Sequence, residues 1–596
     1  MKRFGESLKA FFGRNWHYTL VIVFGVILSM GLWGYIMQIT TGDDFAFHAM
    51  RLQGSAAAWG NGQILPQVHP EALGGFGYAY NIFYGPIVTY IAAVLQFLTT
   101  GAIAVNLTLM ILLMASGVLM CWAMMRIGGN KFLAALTAIL YMAAPYHLTD
   151  LYSRMAVGEV AALTVAPILL CGLYELTNHE SKATRHIAIA AALLLLSHSL
   201  SAALFALMSA IYVLFNIKAI WNKKSIGQMA LAVVVALGLA AFFLLPMLEV
   251  RGAANYGVFD AGYLEQYFGA NGQSMNDHRI WPFSLLLTDS YVGELDLATG
   301  VVAVTAMIGF WFVRKRIEDQ KQRKFVTILY AIAILSLIVM MPIIDWHHMP
   351  LMMRQLQFPW RMLEIFTVAM SMVAGYTIYE LIRDVAEEKR KLLVVVAGMV
   401  ALYPMIGTFV PRKERQVWDG EGWKEVASGS VGWQAEYVPM QMLCSPDNEE
   451  ETAQGFACSL GKVKEILAER GSEIEVISGT AKVSGVERDG LKFQFQLENR
   501  ESTEAEVELP VIYYPGYVAK LDGKKVTVKE SERLGLATVV VPAEAAGEVE
   551  VYYGLSRATV AGMAISGATV VLGGAWIATD KRHAEWGRKL QAKLQK

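Results

Sequence analysis

Residues 18–48 read YTLVIVFGVILSMGLWGYIMQITTGDDFAFH: an uncharged apolar run, then Gly42-Asp43-Asp44-Phe45-Ala46-Phe47-His48, with Arg51 one helical turn beyond His48. The run at 18–37 is long enough to cross a bilayer as a helix. Two carboxylates where such a helix leaves the membrane are costly to place and mark a functional-site candidate. The plain alternative is a polar loop in which an aspartate after glycine caps the next helix.

The rest of the chain repeats the first half of that pattern. Of 596 residues, 55% are hydrophobic and only 17% charged, with a mean hydropathy of +0.41. These values exclude an ordinary soluble globular protein and indicate a polytopic helical membrane protein. Twelve apolar stretches read as spans, at about 18–37, 103–125, 131–148, 157–176, 185–199, 200–216, 226–246, 297–313, 325–341, 359–382, 392–410 and 557–578. The N-terminus is basic, but no small-residue cleavage site follows its apolar run, so a retained first helix is expected.

Basic residues orient these spans. Lys2, Arg3, Lys9 and Arg14 precede the first, and later clusters include Arg126 with Lys131, Lys182 with Arg185, Arg314-Lys315-Arg316 and Lys389-Arg390-Lys391. If the twelve spans alternate, every cluster falls on one side, which makes both termini cytoplasmic. Counting Ile82–Leu98 as a further span would invert every later loop. That segment therefore reads as a re-entrant or interfacial helix, broken at Tyr84-Gly85-Pro86.

Residues 412–556 differ in kind, with 26 acidic against 16 basic residues. Leu491, Phe493, Phe495 and Leu497 alternate with polar neighbours, the period of a half-buried strand. Asp522-Gly523 between two apolar runs reads as a hairpin turn. The expected organisation is a membrane domain over 1–410 with a functional first outer loop at 38–102. An extracytoplasmic, mainly β domain follows over 411–556, then a last span and cytoplasmic tail over 557–596. Cys121 and Cys171 lie in apolar spans as small hydrophobes. Cys444 and Cys458 could pair if their region lies outside the cytoplasm, although spacing alone does not establish it.

Chemistry-bearing residues collect in the outer turns. The first loop carries Asp43, Asp44, His48, Arg51, His69, Glu71 and the stretch Gly74-Gly75-Phe76-Gly77-Tyr78. The next reads Pro145-Tyr146-His147-Leu148-Thr149-Asp150, then Arg154 and Gly158-Glu159. Asp150, Arg154 and Glu159 could orient a sugar or phosphate, or form an ion pair of structural use alone. A later loop ends in Asn276-Asp277-His278-Arg279, and the last holds Asp345-Trp346-His347-His348 before Gln357-Phe358-Pro359-Trp360-Arg361. Outer arginines run against the positive-inside rule and so tend to have partners, a lipid phosphate being one. Asp345 with His347 and His348 is a candidate divalent-cation site, although adjacent histidines point apart unless the backbone turns. There is no P-loop, Rossmann fingerprint, zinc-protease motif or nucleophile elbow, and cytoplasmic loops are too short for a nucleotide-driven enzyme. A nucleic-acid partner is not expected.

At these motifs the chain resembles the GT-C superfamily of integral membrane glycosyltransferases. It is more closely similar to bacterial membrane proteins of the "6-pyruvoyl-tetrahydropterin synthase-related" family and their YfhO-like relatives. The resemblance rests on Asp44-Phe45-Ala46-Phe47-His48 with Arg51, on Gly75 through Pro86, and on Ala144-Pro145-Tyr146 through Gly158-Glu159. It continues in Gln357-Phe358-Pro359-Trp360-Arg361 and in Tyr514-Pro515-Gly516-Tyr517 before Asp522-Gly523. It implies a polyprenyl-phosphate-linked sugar donor, an outer-loop aspartate as general base and no nucleotide sugar; an acceptor on a surface glycan or polymer is expected, though the family's name does not identify it. By position that aspartate is Asp44. The family pattern has one acid where this chain has two, so Asp43 is the second choice or a metal-binding or orienting partner.

The resulting expectation is a glycosyltransferase of the outer membrane face, with direct attack and inversion at the anomeric carbon. Arg361, Arg154 and Arg279 would stabilise the departing phosphate, and Asp150, Glu159 and His48 would orient the substrates. Arg51, His69, Glu71 and His278 complete the candidate substrate-binding set. A divalent cation, Mg or Mn, is left open, with its ligands unassigned. The rival is a lipid-linked glycan transporter or a non-catalytic scaffold of envelope polysaccharide assembly. A transporter should carry mid-span ionisable residues and paired broken helices related by a repeat, and no repeat is visible.

Overall fold

The computed structural model describes residues 13–33, 44–260, 262–264, 273–281, 291–292, 295–402, 435–443, 450–452, 455–457 and 460–594. Asp43, Cys444 and Cys458 lie outside the described residues, so neither the second acid nor the cysteine pair is placed.

Each apolar stretch read as a span carries a helix. Thirteen helices form the frame: α1 (Trp16–Ser29), α2 (Phe45–Gly60), α3 (Ile87–Gln96), α4 (Gly101–Gly128), α5 (Lys131–Met142), α6 (Val157–Thr177), α7 (Ala183–Ser197), α8 (Ser199–Phe215), α9 (Lys223–Ala253), α10 (Val301–Val313), α11 (Gln320–Val339), α12 (Leu363–Ile382) and α13 (Glu387–Leu402). A last helix, α14 (Arg557–Leu594), packs along α9. Among the described residues, six helices are long and apolar enough to cross a membrane. They begin at Gly101, Val157, Lys223, Gln320, Pro359 and Arg557. A seventh span is formed if α5 and the segment Pro145–Arg154, bent by 52°, are taken together.

Ordinary capping chemistry sets the helix ends. Asn130 and Asn222 accept backbone N–H bonds at the starts of α5 and α9. Gly129, at φ 65°, ends α4 in the left-handed conformation that glycine adopts without strain. The segment after Tyr80 breaks at Tyr84 and resumes as α3, whose ten residues fall short of a bilayer crossing.

Helix α6 is central, with 94% of its apolar window buried against its neighbours. It packs on α4 and α7 and lies within the larger of two main hydrophobic clusters. The second cluster joins the first loop to the β domain: Met50, Val68, Phe76, Tyr78, Tyr80 and Phe83 share one core with strand residues.

That domain is one antiparallel sheet of eight strands: β1 (Glu475–Ser478), β2 (Lys482–Asp489), β3 (Lys492–Glu498), β4 (Ala505–Ile512), β5 (Tyr517–Leu521), β6 (Lys524–Glu530), β7 (Leu536–Val541) and β8 (Ala546–Tyr553). Their order is β1-β4-β7-β6-β5-β8-β3-β2. Phe493, Phe495 and Leu497 alternate inward as their spacing predicts. Leu521 pairs with Lys524 across Asp522-Gly523, both at positive φ, the two-residue hairpin that the dipeptide favours. The sheet is bonded to the loop at Ile512 N to Phe76 O (2.7 Å), Asn61 Nδ2 to Asp489 O (3.0 Å) and Arg488 to the Gly75 carbonyl. The first loop is thus a platform between the helices and the sheet.

Candidate active site

The charged turn after α5 is wound as a short π-helix, Thr149–Arg154, followed by Met155 in the left-handed region at φ 52°. Both features are uncommon and concentrate at functional sites. Their effect is to reverse the chain, so that Arg154 faces the first turn of α6, where Glu159 lies. Arg154 meets Glu159 through two parallel bonds, Nη1 to Oε2 at 2.8 Å and Nη2 to Oε1 at 2.9 Å. Arg154 Nη1 also donates to Asp150 Oδ1 at 2.6 Å, and the Tyr146 hydroxyl donates to Glu159 Oε2 at 2.8 Å.

A segment two hundred residues later closes the cluster. The turn Pro359–Met362 brings Arg361 Nε to 3.2 Å from Glu159 Oε1, and Arg361 donates to the Leu356 carbonyl at 3.0 Å. Trp360 lies beneath the Arg154 guanidinium, 4.6 Å from its carbon, and stacks on Phe358, against which His278 packs edge-on. In the first turn of α12 lies Glu364, wholly buried. The Ser201 hydroxyl is the hydrogen-bonding group beside its carboxylate, which is otherwise without a partner among the described residues. His198, in the break between α7 and α8, comes within the same group.

Asp44 sits at the mouth of this cluster. Its backbone N–H donates to the Arg154 carbonyl at 2.8 Å, which ties the first loop to the second. Its carboxylate lies 3.7 Å from Arg154 Nη2 and keeps 44% of its side-chain surface open, while the other three acids are at most 2% exposed. The recess around it still strips water from the carboxyl. Burial raises it above the ordinary carboxylate range, Arg154 pulls the other way, and Glu159 adds to the rise.

Four residues on, His48 is held by Arg51. Arg51 Nη1 donates to His48 Nδ1 at 3.2 Å and Nη2 donates to the Gly85 carbonyl at 2.8 Å. A guanidinium only donates, so His48 Nδ1 is the acceptor and the ring proton sits on Nε2. Burial, and then the Arg51 charge, push the imidazole well below its usual range and keep it neutral. Arg51 itself is 2% exposed and stacks on Tyr84, its carbon 3.9 Å from the ring. No carboxylate pairs with it among the described residues. A narrow apolar cleft of about 10 Å³ lies at His48 between α2, α3, α4 and α6, lined by Leu52, Val88, Ala92, Val105, Leu109 and Val157.

Close backbone approach explains the glycines of these motifs. A Cβ on Gly158 would meet the Tyr84 hydroxyl at 2.3 Å, and one on Gly85 the Leu196 carbonyl at 2.5 Å. A side chain at either position would push Tyr84 and Arg51 away from the cluster.

The structure therefore brings together Asp44, His48, Arg51, Asp150, Arg154, Glu159 and Arg361. It places others elsewhere. His69 is buried in the core shared with the sheet, and Glu71 is exposed. Arg279 donates to the carbonyls of Asn276, Pro342 and Ile344 rather than facing the cluster. Asp345 pairs with His348 at 2.8 Å on an exposed turn. Among the described residues, Asp345, His347 and His348 do not converge as a three-donor group. The sequence motifs did not include Glu364 or His198, and they carried Tyr84 and Trp360 without a site role. Glu364 carried a usable signal, an acid at the sixth residue of the apolar run 359–382.

Helices of spanning length packed around a buried ionic cluster are the frame of a membrane protein. The chain belongs to the family described as 6-pyruvoyl-tetrahydropterin synthase related domain, membrane protein, whose model matches residues 82–410. An uncharacterised protein of Lactococcus lactis subsp. cremoris is 25% identical over 613 residues, covering 96% of each chain. Among solved structures, the mycobacterial arabinofuranosyltransferase AftD is similar over 67% of this chain and 27% of its own, at 15% identity and a TM-score of 0.40. The Archaeoglobus fulgidus oligosaccharyltransferase in its apo form is similar over 72% of this chain and 57% of its own, at 11% identity and 0.39. The arabinosyltransferase EmbB of Mycobacterium smegmatis is similar over 89% and 62%, at 12% and 0.32. This chain thus spans less than two thirds of the length of each of those three proteins.

Proposed function

We propose that the protein is a membrane glycosyltransferase that moves a sugar from a polyprenyl-phosphate-linked donor to an acceptor hydroxyl. It works on the extracytoplasmic face, in the modification of a surface glycan or polymer. The observation that carries this reading is the contrast within the cluster. Asp150, Glu159 and Glu364 are shut away, while Asp44 alone offers its carboxylate to a recess.

A carboxylate raised above its ordinary range suits a general base. Asp44 takes the acceptor proton as the acceptor oxygen attacks the anomeric carbon. The bond from that carbon to the lipid phosphate breaks, and the phosphate leaves with the electron pair. A single direct displacement inverts the anomeric centre.

The developing phosphate charge needs donors that are not already engaged. Arg154 and Arg361 are neutralised by Glu159 and Asp150, and Arg279 is turned away from the cluster to backbone carbonyls. The role first expected of those three therefore passes to His48 and Arg51. His48 presents Nε2–H to the cleft, and Arg51 behind it supplies a charge with no carboxylate to cancel it. Arg154 and Trp360 position Asp44 through its backbone and do not react.

Purified protein in detergent, given a polyprenyl-phosphate-linked radiolabelled sugar and a glycan acceptor, separates an enzyme from a transporter, because transport has no meaning without a bilayer. Labelled product supports the reading. Absence of product, with directional movement of the lipid-linked sugar in vesicles, would replace it by the transporter.

A further inference from the structure

The tyrosines of the first two outer turns commit their hydroxyls to the protein. Tyr146 donates to Glu159 Oε2 at 2.8 Å, Tyr80 to the Arg51 carbonyl at 2.9 Å and Tyr90 to the Pro66 carbonyl at 3.3 Å. Tyr84 differs from them. Its hydroxyl has no hydrogen-bond partner among the described residues.

The ring that carries this hydroxyl is nevertheless firmly held. The Arg51 guanidinium carbon lies 3.9 Å from its centroid, and His198 packs on it at 5.4 Å. His48 and Phe47 meet it edge-on. The hydroxyl end rests against the first turn of α6, where a Cβ on Gly158 would come within 2.3 Å of the oxygen. These contacts fix the ring's orientation while leaving Tyr84 half-buried.

The charges that face the hydroxyl are those of the site: Arg51 most strongly, then Asp44, Glu159 and Arg361. Tyr84 thus touches both halves of the recess, the open carboxylate and the His48–Arg51 pair. Burial raises the phenol above its ordinary range, so it keeps its proton and remains a donor. A tyrosine kept for packing alone could be a phenylalanine here. Taking a hydroxyl out of water without a partner costs stability, and a ligand oxygen would offset that cost.

We propose that Tyr84 is a substrate-contacting residue whose hydroxyl donates to a phosphate oxygen of the lipid-linked donor, beside His48 Nε2–H. The proposal rests on the glycosyltransferase reading of this site and adds a third group to its phosphate pocket. An anion is the ligand its surroundings favour, because Arg51 is the strongest charge on the hydroxyl and no described carboxylate cancels it. A neutral sugar hydroxyl would leave that charge unmet. Tyr84 transfers no proton. Its hydrogen bond tightens as the phosphate takes up the electron pair of the broken bond.

The test reads lipid binding by purified full-length protein in detergent and requires no transfer. The probes are a polyprenyl monophosphate and the matching polyprenol, which lacks the phosphate. Wild type should prefer the monophosphate. Tyr84→Phe keeps the ring and its stack with Arg51. It should weaken monophosphate binding roughly ten- to hundredfold, the usual effect of losing a hydrogen bond to a charged group, with polyprenol binding and thermal midpoint unchanged. Gly158→Ala, which pushes the hydroxyl aside without removing it, should weaken monophosphate binding in the same sense. Tyr90→Phe should match wild type, and inorganic phosphate in molar excess should not displace the lipid.

Equal binding of the monophosphate by Tyr84→Phe and wild type overturns the proposal and leaves the glycosyltransferase reading standing. A parallel loss of polyprenol binding and thermal midpoint makes the hydroxyl structural and overturns it as well. Displacement by inorganic phosphate makes the ligand a free anion and overturns the lipid assignment. A wild type with no preference for the monophosphate overturns both the proposal and the reading beneath it.

Discussion

Helix α6 carries a buried glutamate near each end, and the two are treated differently. At one end Glu175 meets Arg126 at 2.8 Å and His186 at 2.6 Å, each oxygen has its partner, and Arg126 reaches partly into solvent. At the other end Glu159 has two arginines, a tyrosine hydroxyl and a histidine around it. Two further buried acids there keep unpartnered oxygens, and a fourth acid stands open. A balanced ionic knot of the first kind fastens helices. An unbalanced one costs stability, and proteins keep such arrangements where charge must act on something else.

The largest effect should separate the two arginines. Arg154→Met strands Glu159 and Asp150 and is expected to cost about 3–5 kcal/mol, seen as lost folded protein on size exclusion. Arg126→Met, at the half-solvated end, should cost clearly less. Equal losses at both ends would erase the contrast.

A middle-sized effect tests the β domain, where balance also fails. Glu530 is half-buried at the end of β6, and its carboxyl is pushed up to about 7 by burial, against a hydrogen bond from Gln441. A raised folded value means that Glu530 favours the fold below the ordinary carboxylate range and ceases to do so as pH rises through about 7. Glu530→Gln should therefore stabilise at pH 8 by about 1–2 kcal/mol, after discounting for its exposure, and change little at pH 5. Denaturant midpoints at the two pH values check this.

The smallest shift concerns Asp44 and stability. Its carboxyl is likewise raised, with Arg154, Glu159 and Arg361 the charges that face it. It ceases to favour the fold as pH rises through its elevated value, so Asp44→Asn should leave the thermal midpoint at pH 7.5 unchanged or slightly higher. Loss of transfer without loss of stability is the signature of a residue kept for chemistry. In the wild type, the same elevation should place the acid limb of kcat/KM above the ordinary carboxylate range, with activity falling as pH drops through it.

Much of this was readable in the chain. Asp44, His48, Arg51, Asp150, Arg154, Glu159 and Arg361 stand at the ends of apolar runs, where charge is expensive, and all of them meet. The hairpin at Asp522-Gly523 and the inward set Phe493, Phe495 and Leu497 follow from local chemistry. What the sequence did not reveal was pairing across distance. Nothing local to Arg361 says that Glu159 occupies it, so free cations and neutralised ones looked alike. His69 and Arg279 illustrate the converse, since polar residues in a functional-looking loop were drawn into core and carbonyl contacts. Glu364 and His198 were overlooked because each sits in an apolar run that reads as span.

The account turns on Asp44 as the base, and single-turnover transfer by Asp44→Asn in detergent tests it most directly. The prediction is a fall in rate on the order of 10²–10⁴-fold, with donor binding and thermal midpoint retained and Glu175→Gln near wild type per folded molecule. A rate within a few-fold of wild type in Asp44→Asn would contradict it.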